Sequence, residues 1–158
     1  MSDRPTWHVY FMKMALLISE RSTCKRRQVG SVLVKNNQII ASGYNGAPKR
    51  VAHCDVTGCI REEKKIPSGQ NHELCRGVHA EQNAIVQAAL NGTSLAGSVL
   101  YCTHFPCSLC AKIIINSEIE TVYVLEKYND ILAKDLFVEA GTEMLLINLE
   151  DKTLKKIV

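Results

Sequence analysis

Strand-like and helix-like stretches alternate along this chain, and their order limits the fold more than any other feature of the sequence. Two β-rich runs at 29–35 and 38–44 are separated by Asn36-Asn37, residues that tolerate the left-handed backbone of a hairpin turn. Hydrophobic periodicity and turn residues predict the other elements: helices at 7–18, 79–90, 107–117 and 131–140, and strands at 98–103, 121–125 and 143–149. This order predicts an α/β fold, a three-layer α/β/α sandwich.

Length and composition exclude several classes of protein. The chain has 158 residues, 46% apolar and 22% charged, which is ordinary for one globular domain. We therefore draw no boundary within residues 1–158. No apolar run is long enough to cross a bilayer, and charged residues interrupt positions 1–20, where an export signal needs an apolar stretch. We expect a cytoplasmic protein with no membrane partner.

Charge is distributed unevenly along the chain. Residues 1–78 contain 13 Lys and Arg against 6 Asp and Glu, whereas residues 79–158 contain 6 against 10. The first half is therefore expected to face an anion. The excess suits a phosphate-bearing small molecule better than a nucleic-acid duplex, which usually requires an extended basic stripe.

Seven cysteines in a chain without an export signal favour metal ligands or free thiols over disulfides. Several lie in a long loop at about 46–78, for which no regular structure is predicted. A loop of that length is uncommon unless it is functional or held by a staple. Its potential metal ligands are His53, Cys54, Cys59, His72 and Cys75, and Cys24 lies just before the first strand. The staple is expected to be a metal ion.

Two short motifs at the starts of predicted helices indicate a catalytic metal. His79 and Glu81 form a His-x-Glu motif, and Pro106 precedes Cys107 and Cys110 in a Pro-Cys-x-x-Cys motif. Together they are typical of zinc enzymes that deaminate nucleobases. One histidine and two thiolates are three zinc ligands, and they leave a fourth tetrahedral position open to water.

Glu81 is the expected proton carrier. It lies two residues from the ligand His79, near enough to reach a water molecule at the metal and displaced from the direction of a fourth ligand. A carboxylate there can take the proton of water, pass it to the ring nitrogen and later protonate the departing ammonia. Cys102, within an apolar strand, is interpreted as core filling.

Beyond these residues, the sequence resembles the deoxycytidylate (dCMP) deaminases over about residues 5–148. Among them, it is similar to the bacterial and phage members, including the competence-operon deaminase-like proteins. The motifs that carry the resemblance are HAEQNAI at 79–85, THFPCSLC at 103–110, GYNGAP at 43–48 and STCKRRQVG at 22–30.

The resemblance implies a cytidine-deaminase-like fold with a five-stranded mixed sheet and hydrolysis of dCMP to dUMP and ammonia, supplying dUMP for thymidylate synthesis. It also implies a hexamer regulated by dCTP and dTTP. His79, Cys107 and Cys110 would be the ligands of Zn²⁺, and Glu81 would shuttle protons.

The resemblance also implies substrate contacts. Arg26 would bind the phosphate, Asn45 the deoxyribose, and Thr103, His104 and Phe105 would lie beside the base, with Phe105 able to stack on it. Two of these residues have simpler interpretations: Arg26 belongs to a basic run that water could solvate, and Asn45 precedes Gly46 in a common turn pair.

A second, structural Zn²⁺ is expected from the same resemblance. Its ligands would be Cys24, Cys54, His72 and Cys75. Cys59 could replace one of them, and so could His53. A closed site of this kind would anchor the long loop to the start of the first strand and offset the entropy lost on ordering it.

Other functions remain open on the sequence alone. The zinc motifs also suit deaminases that act on tRNA adenosine or on riboflavin precursors. Residues 150–158 lack an aromatic side chain that could stack on an extruded tRNA base. A zinc-binding accessory module without catalysis is a further alternative, against which the intact Glu81 argues.

Overall fold

The computed structural model describes residues 4–126 and 130–158. None of the helices in these two ranges is both long and apolar enough to cross a membrane. A single 3-10 turn spans His72–Leu74. In chain order the other elements are α1 (Trp7–Ser19), β1 (Gly30–Lys35), β2 (Gln38–Tyr44), α2 (Cys54–Thr57), α3 (Ile60–Glu63), α4 (Ala80–Leu90), β3 (Val99–His104), α5 (Ser108–Asn116), β4 (Thr121–Glu126), α6 (Ile131–Ala140), β5 (Glu143–Ile147) and β6 (Leu154–Lys156).

The strands form one mixed sheet in the order β2-β1-β3-β4-β5-β6. Strand β1 is antiparallel to both β2 and β3, whereas β3, β4 and β5 run parallel to one another. Parallel neighbours require crossover connections, and α5 and α6 supply them. The hairpin turn of β1 and β2 is formed as predicted, because Asn36 and Asn37 have φ of 52° and 56°.

The predicted count of five strands is wrong, because β6 adds a sixth strand antiparallel to β5. Its three residues are all exposed, so the segment has no alternation of apolar and polar side chains from which a strand can be inferred. Lys156 forms an ion pair with Glu143 at 3.0 Å. A short lysine-bearing strand is a common way to end a sheet without exposing a long edge.

Helices cover both faces of the sheet, which confirms the α/β sandwich. On one face α1 contributes Phe11 and Met12 to a cluster with Val32 of β1. On the other face α4, α5 and α6 contribute to a second cluster, which contains the neighbouring residue of the same strand, Leu33. Successive side chains of a strand point to opposite faces, so β1 is buried on both sides.

Helix α4 approaches strand β2 closely at Gly43. A Cβ atom at Gly43 would lie 2.4 Å from both the carbonyl oxygen of Ala80 and the amide nitrogen of Ala84. The Asn83 side chain donates a hydrogen bond to the Tyr44 carbonyl oxygen at 2.7 Å. The backbone of the first turn of α4 is therefore held directly against the backbone at the end of β2.

The segment between β2 and α4 is closed at its base by a backbone bridge between Gly46 and Val78. Within it, the guanidinium of Arg76 donates hydrogen bonds to the Ala52 carbonyl at 2.8 Å and the Thr57 hydroxyl at 2.9 Å. Two short helices and a 3-10 turn occupy a segment for which the sequence predicts no regular structure.

Replacing Gly43 with Ala is expected to lower the free energy of unfolding by about 1–3 kcal/mol, because the added methyl group has no room between β2 and α4. Urea unfolding followed by circular dichroism measures the change. Gly46→Ala is the matched control, since its Cβ would meet nothing closer than 3.8 Å. Equal stability of the two variants would contradict the close approach.

Candidate active site and metal centre

The three predicted ligands of the catalytic metal lie at the starts of two helices. His79 is the N-cap of α4 and Cys107 the N-cap of α5, so both helices begin one residue later than the sequence predicts. Cys110 lies in the first turn of α5. The positive end of each helix dipole therefore faces the site and favours thiolate over thiol.

The ligand atoms of these three residues converge. Nδ1 of His79 lies 3.3 Å from Sγ of Cys110 and 3.4 Å from Sγ of Cys107. Zinc bonds of normal length in a tetrahedron would separate such nitrogen and sulfur atoms by about 3.6 Å. In the described ranges, no other three His, Cys, Asp or Glu side chains bring their ligand atoms within 4.8 Å of one another. The group therefore fits a zinc ion.

Hydrogen bonds within this group shift the pKa values of its members. A hydrogen bond from the Cys110 thiol, assisted by His79, lowers the pKa of Cys107 to about 4. The hydrogen bond between His79 and Cys107 in turn raises the pKa of His79. Cys107 is thus a thiolate at neutral pH, the form in which cysteine binds metals.

Glu81 lies beside the metal ligands without belonging to them. Its side chain is only 5% exposed, and burial raises the pKa of its carboxyl group. A carboxyl group with a raised pKa exchanges its proton closer to neutral pH than an exposed one. The structure therefore gives Glu81 the environment expected of a proton carrier.

A cavity of about 380 Å³ opens over this group, within the usual size range of small-molecule sites. Four of the five predicted substrate-binding residues line it, namely Arg26, Asn45, His104 and Phe105. Thr103 is not among the lining residues. It is buried, and its hydroxyl accepts a hydrogen bond from the Gly30 N–H at 3.2 Å, which ties β3 to β1.

Asn45 holds the segment that carries Arg26. Its side-chain oxygen accepts a hydrogen bond from the Val29 N–H at 2.8 Å, and its side-chain nitrogen donates one to the Arg27 carbonyl at 2.8 Å. Nη1 of Arg26 is buried and has no hydrogen-bond partner among the described residues. Arg26 is therefore not simply solvated, and Asn45 does more than shape a turn.

The other two predicted substrate-binding residues that line the cavity, His104 and Phe105, lie at the end of β3 and directly after it. Phe105 is 5% exposed and packs edge-on against Phe137, with ring centroids 6.4 Å apart. Nε2 of His104 lies 3.2 Å from a carboxylate oxygen of Glu126, whose charge partly offsets the lowering of the pKa of His104 by burial. Both side chains are thus fixed in place by neighbours outside the cavity.

The structure divides the residues predicted for the second zinc. Cys54 is buried, and burial raises the pKa of its thiol, with further contributions from the nearby thiols of Cys59, Cys24 and Cys75. These four cysteines, hereafter the cysteine group, are all free thiols. Cys59, which the sequence offers only as a substitute, therefore lies near the predicted ligand Cys54.

His72 lies at the catalytic group. Its ring is 5.0 Å from the ring of His79, centroid to centroid, at an interplanar angle of 72°. Burial lowers its pKa, and the charges that act on it include those of Cys107 and His79. The other candidate, His53, is hydrogen-bonded through Nδ1 to the Thr23 hydroxyl at 2.8 Å.

Two residues that position the ligands have no predicted role. The Asp130 carboxylate accepts hydrogen bonds from the backbone of Ser108 at 2.9 Å and of Ala133 at 3.0 Å, so it caps α5 and α6 together. The Gln82 side chain accepts a hydrogen bond from the His79 N–H at 3.0 Å. An Asp directly before a predicted helix is a capping signal, but nothing in the sequence shows that it caps a second helix.

Known proteins are similar to this chain over most of its length. The family model for the cytidine and deoxycytidylate deaminase zinc-binding region matches residues 5–126. ComE operon protein 2 of Bacillus subtilis is 37% identical over 94% of this chain and 75% of its own length. The deoxycytidylate deaminase of Schizosaccharomyces pombe is 38% identical over 89% of this chain, which spans only 44% of that relative.

A solved structure is also similar. The dCMP deaminase of cyanophage S-TIM5, in complex with dCMP and dUMP, superposes with a TM-score of 0.74 at 35% identity, covering 90% of this chain and 98% of that one. Since the family match contains His79, Glu81, Cys107 and Cys110, this chain belongs to the cytidine and deoxycytidylate deaminase family.

Proposed function

We propose that this protein hydrolyses dCMP to dUMP and ammonia. The observation that carries the proposal is the buried Glu81 beside the convergent His79, Cys107 and Cys110, at the floor of a cavity lined by arginines. The similarity to deoxycytidylate deaminases, one of them solved with dCMP and dUMP, supports this substrate.

The chemistry divides between the metal and the chain. Zinc held by His79, Cys107 and Cys110 would act as a Lewis acid that makes water a nucleophile at neutral pH. Glu81 takes a proton from the attacking water and delivers it to N3 of the cytosine ring. Glu81 then takes the proton of the new hydroxyl group on C4 and passes it to the amino nitrogen; the bond from C4 to that nitrogen breaks, the C4 oxygen becomes the carbonyl of uracil, and ammonia leaves.

The lining of the cavity accounts for the recognition of the nucleotide. The unpartnered Nη1 of Arg26 is a donor for the 5′-phosphate, and guanidinium groups match the geometry of phosphate oxygens. Phe105 offers an apolar surface to the pyrimidine. Asn45 keeps the Arg26 segment in place and retains one side-chain hydrogen for the deoxyribose.

We also propose a second, structural zinc site in the cysteine group, with Cys59 in place of His72. Four thiolates form a closed tetrahedral site of the structural type. Support comes from the placement of Cys54 near the other three cysteines and of His72 beside His79, and zinc would draw together sulfur atoms that do not all lie within 4.8 Å of one another. Such a site would tie α2 and α3 to the segment before β1.

Several expectations from the sequence and from the resemblance stay predictions. They are regulation by dCTP and dTTP, assembly into a hexamer, a cytoplasmic location, and the organisation of residues 1–158 as one deaminase domain with the segment at 46–78 as its zinc-stapled loop.

Glu81→Gln is expected to lower the rate of ammonia release from dCMP by about 100-fold or more, because the amide keeps the shape of the side chain but cannot carry the proton. Zinc content and the circular dichroism spectrum should be unchanged. Glu139→Gln, at an exposed position on α6, is the matched control and should retain full activity. Undiminished turnover by Glu81→Gln would refute the assigned role.

The same assay decides the substrate class. Zinc-loaded protein is offered dCMP, deoxycytidine, dCTP, a riboflavin-pathway pyrimidine and a tRNA anticodon stem-loop in parallel. Rapid release from dCMP alone is the expected result. Release from another of these substrates would move the proposal to a different deaminase, and no release from any would favour a non-catalytic zinc module.

Cys59→Ser is expected to reduce bound zinc from about two equivalents per chain to about one and to lower the melting temperature, because the loop loses its closed metal site. His72→Gln should leave zinc content unchanged. Metal analysis by mass spectrometry measures both variants. Loss of zinc from His72→Gln, with Cys59→Ser unaffected, would restore the ligand set predicted from the sequence.

A further inference from the structure

The side chain of Arg61 in α3 is a buried cation with few hydrogen-bond partners. It is 8% exposed, and Nη2 donates one long hydrogen bond to the Pro67 carbonyl oxygen at 3.3 Å. Nε is buried and has no hydrogen-bond partner, and no ion pair to Arg61 occurs in residues 4–126 and 130–158. Burying a guanidinium is costly unless an anion accepts its hydrogen bonds.

Arg61 lies at the cavity of the catalytic group. It lines the same cavity as Glu81 and His79. Its positive charge also helps to lower the pKa of His72, whose ring contacts that of His79. The side chain therefore reaches from the segment at 46–78 toward the metal ligands.

Arg26 approaches the cavity from a different part of the chain. It belongs to the segment before β1, whereas Arg61 belongs to α3, and each has a buried guanidinium nitrogen without a partner among the described residues. Two guanidinium groups that line one cavity and lack partners suit a ligand with several acceptor oxygens and more than one negative charge. A phosphate monoester is such a ligand.

We propose that Arg61 binds the 5′-phosphate of the nucleotide together with Arg26, and that this second arginine sets the preference for a nucleotide over a nucleoside. The inference rests on the proposed function. It adds a specificity-determining residue from a helix to which the sequence assigns no role.

A competing interpretation places Arg61 with the cysteine group. Cys59 lies two residues away, and a metal bound to four thiolates carries a net negative charge that a buried arginine could offset. The two interpretations predict different effects of changing Arg61. Phosphate binding links Arg61 to the affinity for nucleotides, whereas charge compensation links it to zinc content.

The test measures binding of dUMP and of deoxyuridine to the zinc-loaded full chain by titration calorimetry, with Arg61→Met compared with the wild type. The affinity for dUMP is expected to fall by about 10-fold or more, the usual effect of losing a charge-assisted hydrogen bond. The affinity for deoxyuridine should not change. In turnover, KM for dCMP should rise.

Arg76→Met is the matched control. Arg76 lies in the same segment and holds it through two hydrogen bonds, but it does not line the cavity. This variant should lose stability and keep its affinity for dUMP. Should Arg61→Met fail to fold, Arg61→Lys decides, because it keeps the charge without the fork and should weaken dUMP binding selectively.

Three results would overturn the proposal. They are unchanged dUMP affinity in a folded Arg61 variant, equal losses for dUMP and deoxyuridine, and loss of zinc with dUMP affinity intact. Because dUMP binding is measured without turnover, these results are distinct from a failure of the proposed function, which would appear as wild-type protein that does not deaminate dCMP.

Discussion

The contact between helix α4 and the end of strand β2 determines where the reacting groups lie. Gly43 lets the two backbones meet at a distance that no side chain would permit, and Asn83 fastens the helix to the strand. This contact fixes the positions of His79 and Glu81, because His79 directly precedes the first turn of α4 and Glu81 lies within that turn. A metal ligand and a proton carrier thus share one rigid support, as a reaction that needs sub-ångström alignment requires.

The start of α5 supports the other two metal ligands. This helix connects the parallel strands β3 and β4 and packs beside α4. Asp130 fixes that start and the start of α6 with one carboxylate. The metal ligands are therefore held by backbone hydrogen bonds and helix caps as well as by the packing of side chains. Such bonds restrict the ligands before any metal binds, which lowers the entropy lost on binding it.

The sequence predicts the framework well and the segment at 46–78 poorly. Periodicity identifies the long helices and five strands because each has an apolar face, and β6 escapes because all its side chains are exposed. His79, Cys107 and Cys110 are found through local spacing. The positions of His72, Cys59 and Arg61 depend on how an irregular segment folds back, and no local pattern encodes that path.

The bridge between Gly46 and Val78 brings the two ends of that segment together at the rim of the sheet. Its length and internal path can therefore vary without moving the strands or α4. The sheet and its long helices supply the reacting groups, and the segment at 46–78 supplies Arg61 and His72 to the cavity wall. A different segment between β2 and α4 could therefore change which substrate binds while the deamination chemistry stays the same.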